Sequence, residues 1–224
     1  MKRTLTLTTA LLLFTTMAFA AKTELAPVTV DFKAILPGPP AAGSDQAVHE
    51  VDELLNLQGS RTDADIKRAN SEVKMTPFIY SYVLGPKFNP DDLPKTAKFL
   101  KEITVASAGV TTEAKNFYAR KRPYLADARI HPCVPLENTP SYPSGHSTRA
   151  TVWAIILSKL YPGQQQALMA RSREIGLDRE IGGVHYPSDV EAGRILGAAI
   201  AKQLLADPDV QIDLADAKAE IDAK

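Results

Sequence analysis

The sequence predicts an all-α protein, a compact single-domain helical bundle with an extended N-terminal arm. Apolar residues recur at helical spacing over most of the chain from residue 44 onward, and proline and glycine separate these stretches. The alternation of valine, isoleucine and threonine that is typical of strands is confined to residues 27–32. The chain has 224 residues, 45% of them hydrophobic and 23% charged, which is ordinary for one globular domain.

The first twenty residues, 1–20, have the pattern of a secretory signal peptide. A basic start at Lys2 and Arg3 precedes an apolar stretch, and Ala18 and Ala20 form a small-x-small cleavage site. The apolar stretch is shorter than the ~20 residues that a membrane-spanning helix needs, and no later apolar run reaches that length. We therefore expect cleavage after residue 20, export to the periplasm, and no membrane segment in the mature chain.

The next segment, residues 21–43, is rich in proline and glycine and ends in Leu36-Pro37-Gly38-Pro39-Pro40-Ala41-Ala42-Gly43. Proline fixes the backbone and removes a hydrogen-bond donor, so this composition favours extended chain and excludes helix. We expect an extended arm over 21–43, followed by the helical domain at 44–224.

Helix signals begin at Ser44, which is suited to cap a helix that ends at Gly59. Ser60 with Asp63 resembles the start of a second helix. Further helices are expected at 91–106, 111–122, 146–161, 164–175, 188–206 and 208–223. The segment 123–143 is a long loop for a compact helical domain, and loops of that length are usually functional.

The composition excludes several classes of function. The 26 basic residues balance the 26 acidic ones, so no overall field attracts the chain to nucleic acid or to an anionic membrane. Cys133 is the single cysteine, so the chain forms no internal disulfide, and Cys133 has no partner at zinc-site spacing. The sequence leaves open whether the chain forms a homo-oligomer.

A first cluster of chemically active residues is formed by Lys115 and Arg122. They are seven residues apart, which places both on one face of the helix expected at 111–122, and Pro123 ends that helix. Two cations on one face can bind one anion. Without the other clusters, this pair is more typical of a solvated helix surface.

A second cluster is the tetrapeptide Pro143-Ser144-Gly145-His146 at the start of an apolar helix. Glycine lets the backbone approach a ligand closely, and the free N–H groups of a helix N-terminus bind anions. Ser144 adds a hydroxyl group and His146 a proton donor. The alternative is that Ser144 is only an N-cap and that His146 is an ordinary first-turn residue.

The third cluster consists of Arg179, His185 and Asp189. Ser188-Asp189-Val190-Glu191 has the form of a capping box, so Asp189 is expected in the first turn of a helix and close to His185. A carboxylate on one imidazole nitrogen leaves the other free to act as a nucleophile. The alternative is a surface His–Asp pair beside an arginine that forms a salt bridge.

In this order, the three clusters resemble the three-part signature of the type 2 phosphatidic acid phosphatase (PAP2) superfamily. The chain is most similar to the bacterial class A non-specific acid phosphatases, and the likeness extends to Leu36–Ala41, to Ser141-Tyr142 and to Ser188-Asp189-Val190. The resemblance implies a helical fold of the PAP2 and vanadium haloperoxidase type. It also implies hydrolysis of small phosphate monoesters without a metal or other cofactor, with phosphotransferase activity as a side reaction.

The resemblance further assigns roles to individual residues. His185 attacks phosphorus, Asp189 steadies the resulting imidazolium, and His146 protonates the leaving group. The phosphate group is bound by Lys115, Arg122, Ser144, Gly145 and Arg179. His146 must start charged and His185 neutral, which predicts optimal activity at mildly acidic pH.

One position departs from the family pattern, because Asp178 replaces the serine that precedes the arginine of the third motif. A carboxylate facing the pocket would repel phosphate, so we expect Asp178 to point away from the pocket or to orient Arg179. Two alternative functions remain at this stage. One is a vanadate-dependent haloperoxidase with a similar pocket, and the other is a non-catalytic exported phosphate-binding protein.

Overall fold

The computed structural model describes residues 25–224, so the predicted signal peptide at 1–20 lies outside the described residues. The described residues contain no strand, and the prediction of an all-α fold is confirmed. The α-helices are α1 (Phe32–Ile35), α2 (Asp45–Ser60), α3 (Asp63–Ser71), α4 (Ser81–Leu84), α5 (Pro94–Tyr118), α6 (Pro123–Ala126), α7 (Gly145–Leu160), α8 (Gln165–Ile181), α9 (Pro187–Ala206) and α10 (Pro208–Asp222). Two short 3-10 helices lie at Pro77–Tyr80 and Pro162–Gln164.

Helix α7 lies at the centre of the bundle and packs against α5, α8, α9 and α10. It carries buried side chains on every side, among them Val152, Trp153, Ile156 and Leu157. A helix that is apolar all round belongs in the core rather than at the surface. Because α7 begins at Gly145, the buried start of this helix fixes the position of the second predicted cluster.

Helices α7 and α9 approach each other closely because α9 presents glycines to α7. A Cβ atom at Gly193 would lie 2.6 Å from the carbonyl oxygen of Ser144, and one at Gly197 would lie 2.6 Å from that of Thr148. Such distances leave no room for a side chain. The close approach brings the two helix N-termini together, and the backbone N–H of Ser144 donates to the carbonyl oxygen of Asp189 at 2.8 Å.

The described part of the N-terminal arm packs onto the helical core. Val28, Phe32 and Leu36 are buried, and the backbone N–H of Val28 donates to the carbonyl oxygen of Ala106 in α5 at 2.9 Å. The prediction that the arm excludes helix is wrong at Phe32–Ile35, where the Asp31 side chain caps one turn. This turn precedes the proline-rich run and buries Phe32.

Three helix boundaries differ from the predictions. The helices expected at 91–106 and 111–122 form one helix, α5, which runs through Gly109 and ends at Tyr118. Helix α8 continues beyond residue 175 and ends at Ile181. Gly176 does not end the helix; a Cβ there would lie 2.7 Å from Val190, so the glycine allows close packing against α9. Finally, Thr62 rather than Ser60 caps α3, with Asp65 completing a capping box.

Among the described residues, no helix combines the length and the apolar character that crossing a bilayer requires.

Candidate active site

The loop before α9 places His185 beside Asp189. Nδ1 of His185 lies 3.2 Å from Oδ2 of Asp189, and both side chains are buried. An ionised carboxylate only accepts hydrogen bonds, so Nδ1 carries the proton and Nε2 keeps its lone pair. Nε2 lies 3.3 Å from Nη1 of Arg122. The pair therefore presents a neutral imidazole nitrogen, oriented by a carboxylate, to a cationic side chain.

Asp189 accepts hydrogen bonds from three further groups, which are the Ser141 hydroxyl, the backbone N–H of Tyr186 at 2.9 Å and Nη1 of Arg120 at 2.6 Å. Arg120 also donates to Glu50 at 2.6 Å, and its guanidinium lies 3.8 Å from the centre of the Tyr186 ring. Burial favours a raised pKa for Asp189, but His185 and Arg120 lower this pKa below its usual value. Sequence reasoning missed Arg120, because one of three consecutive basic residues carries no signal of its own.

The two cations of the first cluster approach the pocket from different elements. Lys115 lies in the last turn of α5, whereas Arg122 lies beyond the end of that helix. The prediction that one helical face carries both is therefore wrong, because Ala119 adopts a left-handed conformation with φ of 48° and ends α5. Both side chains are nonetheless buried and donate to carbonyl oxygens, Lys115 to those of Pro140 and Ser141 and Arg122 to those of Thr139 and Val184.

The second cluster forms the N-terminus of α7. The buried hydroxyl of Ser144 accepts a hydrogen bond from the backbone N–H of Ser147 at 3.3 Å, so the N-cap interpretation of Ser144 is correct. A Cβ at Gly145 would lie 3.8 Å from Cε of Lys115. The first and second clusters therefore adjoin each other at the start of this helix, where backbone N–H groups are free to bind an anion.

His146 is buried near two groups that sequence reasoning did not consider. Its Nε2 lies 3.3 Å from the carbonyl oxygen of Val73, and its Nδ1 lies 3.9 Å from Oε1 of Glu137. Burial, Arg179 and Arg149 together lower the pKa of His146 to about 3. His146 is therefore neutral in this structure at mildly acidic pH, contrary to the expectation of a charged group. A bound anion would raise this pKa by offsetting the neighbouring cations.

His185 and Lys115 also have shifted pKa values. Burial lowers the pKa of His185 to about 4, an effect that Asp189 partly offsets. His185 is therefore neutral at mildly acidic pH, as a nucleophile requires. Burial and the nearby Arg122 lower the pKa of Lys115 to about 8, so Lys115 is charged over the same pH range.

Arg179 and Asp178 lie in the last turn of α8 and point to different partners. Nη2 of Arg179 donates to the carbonyl oxygen of Ala69 and lies 3.4 Å from Glu72, while its buried Nε has no hydrogen-bond partner. Asp178 accepts two hydrogen bonds from Arg68 of α3, at 2.7 and 2.8 Å. The carboxylate that departs from the family pattern is thus turned toward α3 and paired there. Arg179 lies near enough to His146 to lower its pKa.

Glu137 is the main pocket residue that sequence reasoning missed. It lies in the predicted long loop and accepts a hydrogen bond from Nη2 of Arg122 at 2.8 Å. Burial opposes a lower pKa for Glu137, but Arg122, His185, His146 and Lys115 lower it. An acidic residue in a loop between two motifs gives no sequence signal for a position among these cations.

Four cationic side chains surround the candidate site, namely Lys115, Arg122, Arg149 and Arg179, and their charges suit an oxyanion ligand. Within residues 25–224, no group of three or more histidine, cysteine, aspartate or glutamate side chains is placed to hold a metal ion.

Comparison with known proteins identifies the family. Residues 100–211 match the PAP2 superfamily. The chain belongs to this superfamily. A non-specific acid phosphatase of Salmonella typhimurium is 34% identical to the chain over 197 residues, which cover 83% of this chain and 79% of that protein. The residues that match the superfamily, 100–211, include all three predicted clusters.

Two solved structures have a similar fold. A transmembrane PAP2-type phosphatidylglycerolphosphate phosphatase from Bacillus subtilis superimposes with a TM-score of 0.54 at 17% identity, covering 73% of this chain and 87% of that one. A bacterial vanadium-dependent iodoperoxidase gives a TM-score of 0.55 at 17% identity, covering 79% and 55%. At these identities the similarity is one of fold, and it agrees with the predicted helical architecture.

Proposed function

We propose that this protein is a non-specific acid phosphatase that hydrolyses phosphate monoesters through a phosphohistidine formed at His185. One observation carries the proposal. Nδ1 of His185 is held 3.2 Å from Asp189, and Nε2 faces the Arg122 guanidinium at 3.3 Å. A phosphoryl group bound by Arg122 would therefore lie next to the lone pair that attacks it. The similarity to a Salmonella non-specific acid phosphatase over 83% of the chain supports the same activity.

In the first step, Nε2 of His185 forms a bond to phosphorus and the bond from phosphorus to the ester oxygen breaks. His146 gives its proton to the departing oxygen, and Asp189 stabilises the positive charge on the phosphorylated imidazole. In the second step, His146 takes a proton from water, the water oxygen bonds to phosphorus, and the bond from phosphorus to His185 breaks. Inorganic phosphate leaves and both histidines return to their starting states. Transfer to an alcohol in place of water gives the phosphotransferase side reaction.

Charge on the phosphoryl oxygens is offset by fixed donors around them. The proposed donors are Lys115, Arg122, Arg179, the Ser144 hydroxyl group and the backbone N–H groups of Gly145 and His146. Because these donors are cationic or neutral, they favour an oxyanion and repel a divalent cation. We therefore propose that the reaction needs no metal ion.

Activity at acidic pH is possible because the pKa of the nucleophile is low. An exposed histidine with a pKa near 6.5 is mostly protonated at pH 5, and a protonated imidazole has no lone pair to attack phosphorus. Burial lowers the pKa of His185 to about 4, which keeps it neutral at that pH. The substrate supplies the negative charge that raises the pKa of His146, so its proton is present once the ester is bound.

We also propose that the protein acts in the periplasm after removal of residues 1–20, as their basic and apolar pattern indicates. The test is N-terminal sequencing of protein recovered from a periplasmic extract. A first residue near Ala21 supports the proposal, and an intact Met1 contradicts it.

The proposed activity is tested with p-nitrophenyl phosphate and the mature protein, in excess chelator, from pH 4 to pH 8. We expect hydrolysis with chelator present, and a loss of roughly a thousandfold or more in kcat for His185→Ala. His49→Ala is the matched control, because His49 lies on the exposed face of α2 and pairs with Glu53.

Three results would overturn parts of the proposal. Loss of activity in the presence of chelator contradicts the metal-free mechanism. Unchanged activity of the His185→Ala variant excludes His185 as the nucleophile. Phosphate binding without turnover favours a binding protein, whereas halide oxidation by vanadate-loaded protein favours a haloperoxidase.

A further inference from the structure

Arg149 is a cationic residue at the pocket that the mechanism above does not use. It lies on α7, three residues after His146 and one turn after Gly145. Gly145 faces Lys115 of α5, and Trp153, one turn beyond Arg149, donates to Thr104 of the same helix at 2.9 Å. Arg149 therefore lies on the side of α7 that faces α5, directly after the proposed phosphate-binding residues.

The guanidinium group of Arg149 forms no ion pair among residues 25–224, although the charge of Glu137 acts on it. Its Nε is buried without a hydrogen bond, and no carboxylate of the described chain forms an ion pair with it. Four other buried or nearly buried arginines each have a carboxylate within 2.6–3.4 Å, namely Arg120, Arg122, Arg171 and Arg179. Arg149 is partly buried. Removing a cation from water without an ion pair is unfavourable, so an unpaired guanidinium beside a binding pocket indicates an anion supplied by a ligand.

The position of Arg149 relative to the two histidines indicates which part of a substrate it reaches. Arg149 contributes to the lowered pKa of His146, whereas the charges that most affect His185 are Asp189, Lys115 and Arg122. In the proposed mechanism His146 protonates the leaving oxygen. Arg149 lies three residues after His146 on α7, so the two side chains are neighbours on that helix, whereas the attacking nitrogen of His185 lies against Arg122. This placement puts Arg149 beside the residue that protonates the leaving group.

We infer that Arg149 binds a second oxyanion carried by the leaving group of the substrate. The preferred substrates are then phosphate monoesters whose alcohol part bears a carboxylate or a second phosphate group. A guanidinium group binds either oxyanion through two parallel hydrogen bonds. This inference rests on the proposed function, because that function defines which side of the pocket holds the leaving group.

Binding is the first test, since it does not depend on turnover. The probes are phenylphosphonate, 3-carboxyphenylphosphonate and 1,3-phenylenediphosphonate, measured by calorimetry at pH 6. We expect the two probes with a second anion to bind the wild-type protein at least about tenfold more tightly than phenylphosphonate does, and this preference to disappear in Arg149→Gln. A preference for only one of the two identifies which oxyanion is recognised.

Two variants separate recognition from general effects of charge and folding. Arg149→Lys keeps the charge and is expected to retain part of the preference. Arg173→Gln removes one exposed positive charge elsewhere, on α8, and is expected to retain all of it. Equal binding of all three probes by the wild-type protein overturns the inference, and so does an unchanged preference in Arg149→Gln.

The kinetic counterpart compares kcat/KM for phenyl phosphate and 3-carboxyphenyl phosphate. We expect the ratio to favour the carboxylated ester in the wild-type protein and to fall at least about tenfold in Arg149→Gln. A fall of equal size for both esters contradicts the inference, because Arg149 would then serve the transferred phosphoryl group. If the anionic phosphonates bind preferentially but neither ester is hydrolysed, the proposed function fails while the assignment of Arg149 as an oxyanion-binding residue stands.

Discussion

The carboxylate of Glu137 accepts a hydrogen bond from the guanidinium group of Arg122 at 2.8 Å, among the cations that surround the two histidines. Its other oxygen lies 3.9 Å from Nδ1 of His146. A carboxylate at this position offsets part of the charge that would attract a phosphate group. Substrate binding therefore has to compete with an acceptor that the protein itself supplies.

This competition predicts that Glu137→Gln binds oxyanions more tightly. The substitution keeps a hydrogen-bonding side chain of similar size but removes the negative charge, so repulsion of phosphate falls. We expect the dissociation constant of inorganic phosphate to fall roughly tenfold, corresponding to about 1.4 kcal/mol. Glu174→Gln on α8 is the control, because Glu174 pairs with Arg171 and not with Arg122. Unchanged or weaker phosphate binding in Glu137→Gln would show that Glu137 assists binding.

The pKa values of His185 and Lys115 predict two limits on the pH dependence of kcat/KM. Activity should fall below pH of about 4, where His185 gains a proton, and above pH of about 8, where Lys115 loses one. Lys115→Arg should extend the alkaline limit without moving the acid limit, because arginine stays charged. The measurement is kcat/KM for p-nitrophenyl phosphate, corrected for ionisation of the substrate. An alkaline limit that stays in place in Lys115→Arg would exclude Lys115 as its origin.

Arg120 is expected to act as a positioning residue through Asp189. Arg120→Ala leaves Asp189 and Glu50 buried without their cationic partner, which we expect to lower the free energy of unfolding by about 3 kcal/mol. The kcat should fall more than KM changes, because His185 loses its fixed orientation while the phosphate-binding groups remain. The checks are urea unfolding and steady-state kinetics.

The matched control for this prediction is Arg129→Ala, which breaks an exposed pair with Asp127 and should change stability by less than about 1 kcal/mol. Equal effects of the two substitutions would argue against a special role of Arg120.

Alanine substitutions at Gly193 and Gly109 are expected to change stability in opposite directions. A Cβ at this position would lie 2.6 Å from the carbonyl oxygen of Ser144, so Gly193→Ala should lower stability by about 1–3 kcal/mol and shift the start of α7. Gly109 in α5 has no other atom within 4 Å of the same added Cβ, so Gly109→Ala should raise stability by about 0.5–1 kcal/mol. Thermal unfolding of both variants measures the difference. Two changes of the same sign would contradict the proposed close packing of α7 on α9.

Much of the fold was predictable because periodicity, caps and prolines act locally. Ser44 caps α2, and Asp189 lies in the first turn of α9, as the sequence indicates. The errors arose where tertiary packing outweighs local preference. Gly176 continues a helix because its missing side chain admits Val190, and Ala119 ends one although alanine normally extends helices.

The candidate site was predictable at its motifs but not around them. His185 and Asp189 are four residues apart, so their contact follows from sequence. Arg120 pairs with Glu50 of α2, and Glu137 of the loop 123–143 pairs with Arg122. No local sequence rule predicts that these residues meet. The direction of Asp178 depends in the same way on Arg68, which lies 110 residues earlier in the chain.

The formation of phosphohistidine at His185 is the central claim, and rapid quenching tests it most directly. The wild-type protein is mixed with p-nitrophenyl phosphate, quenched at alkaline pH within the first turnover, digested and analysed by mass spectrometry. The account predicts one added phosphoryl group on the peptide that contains His185, and none in the His185→Ala variant. A phosphoryl group on another residue, or turnover by a variant that lacks His185, would contradict it.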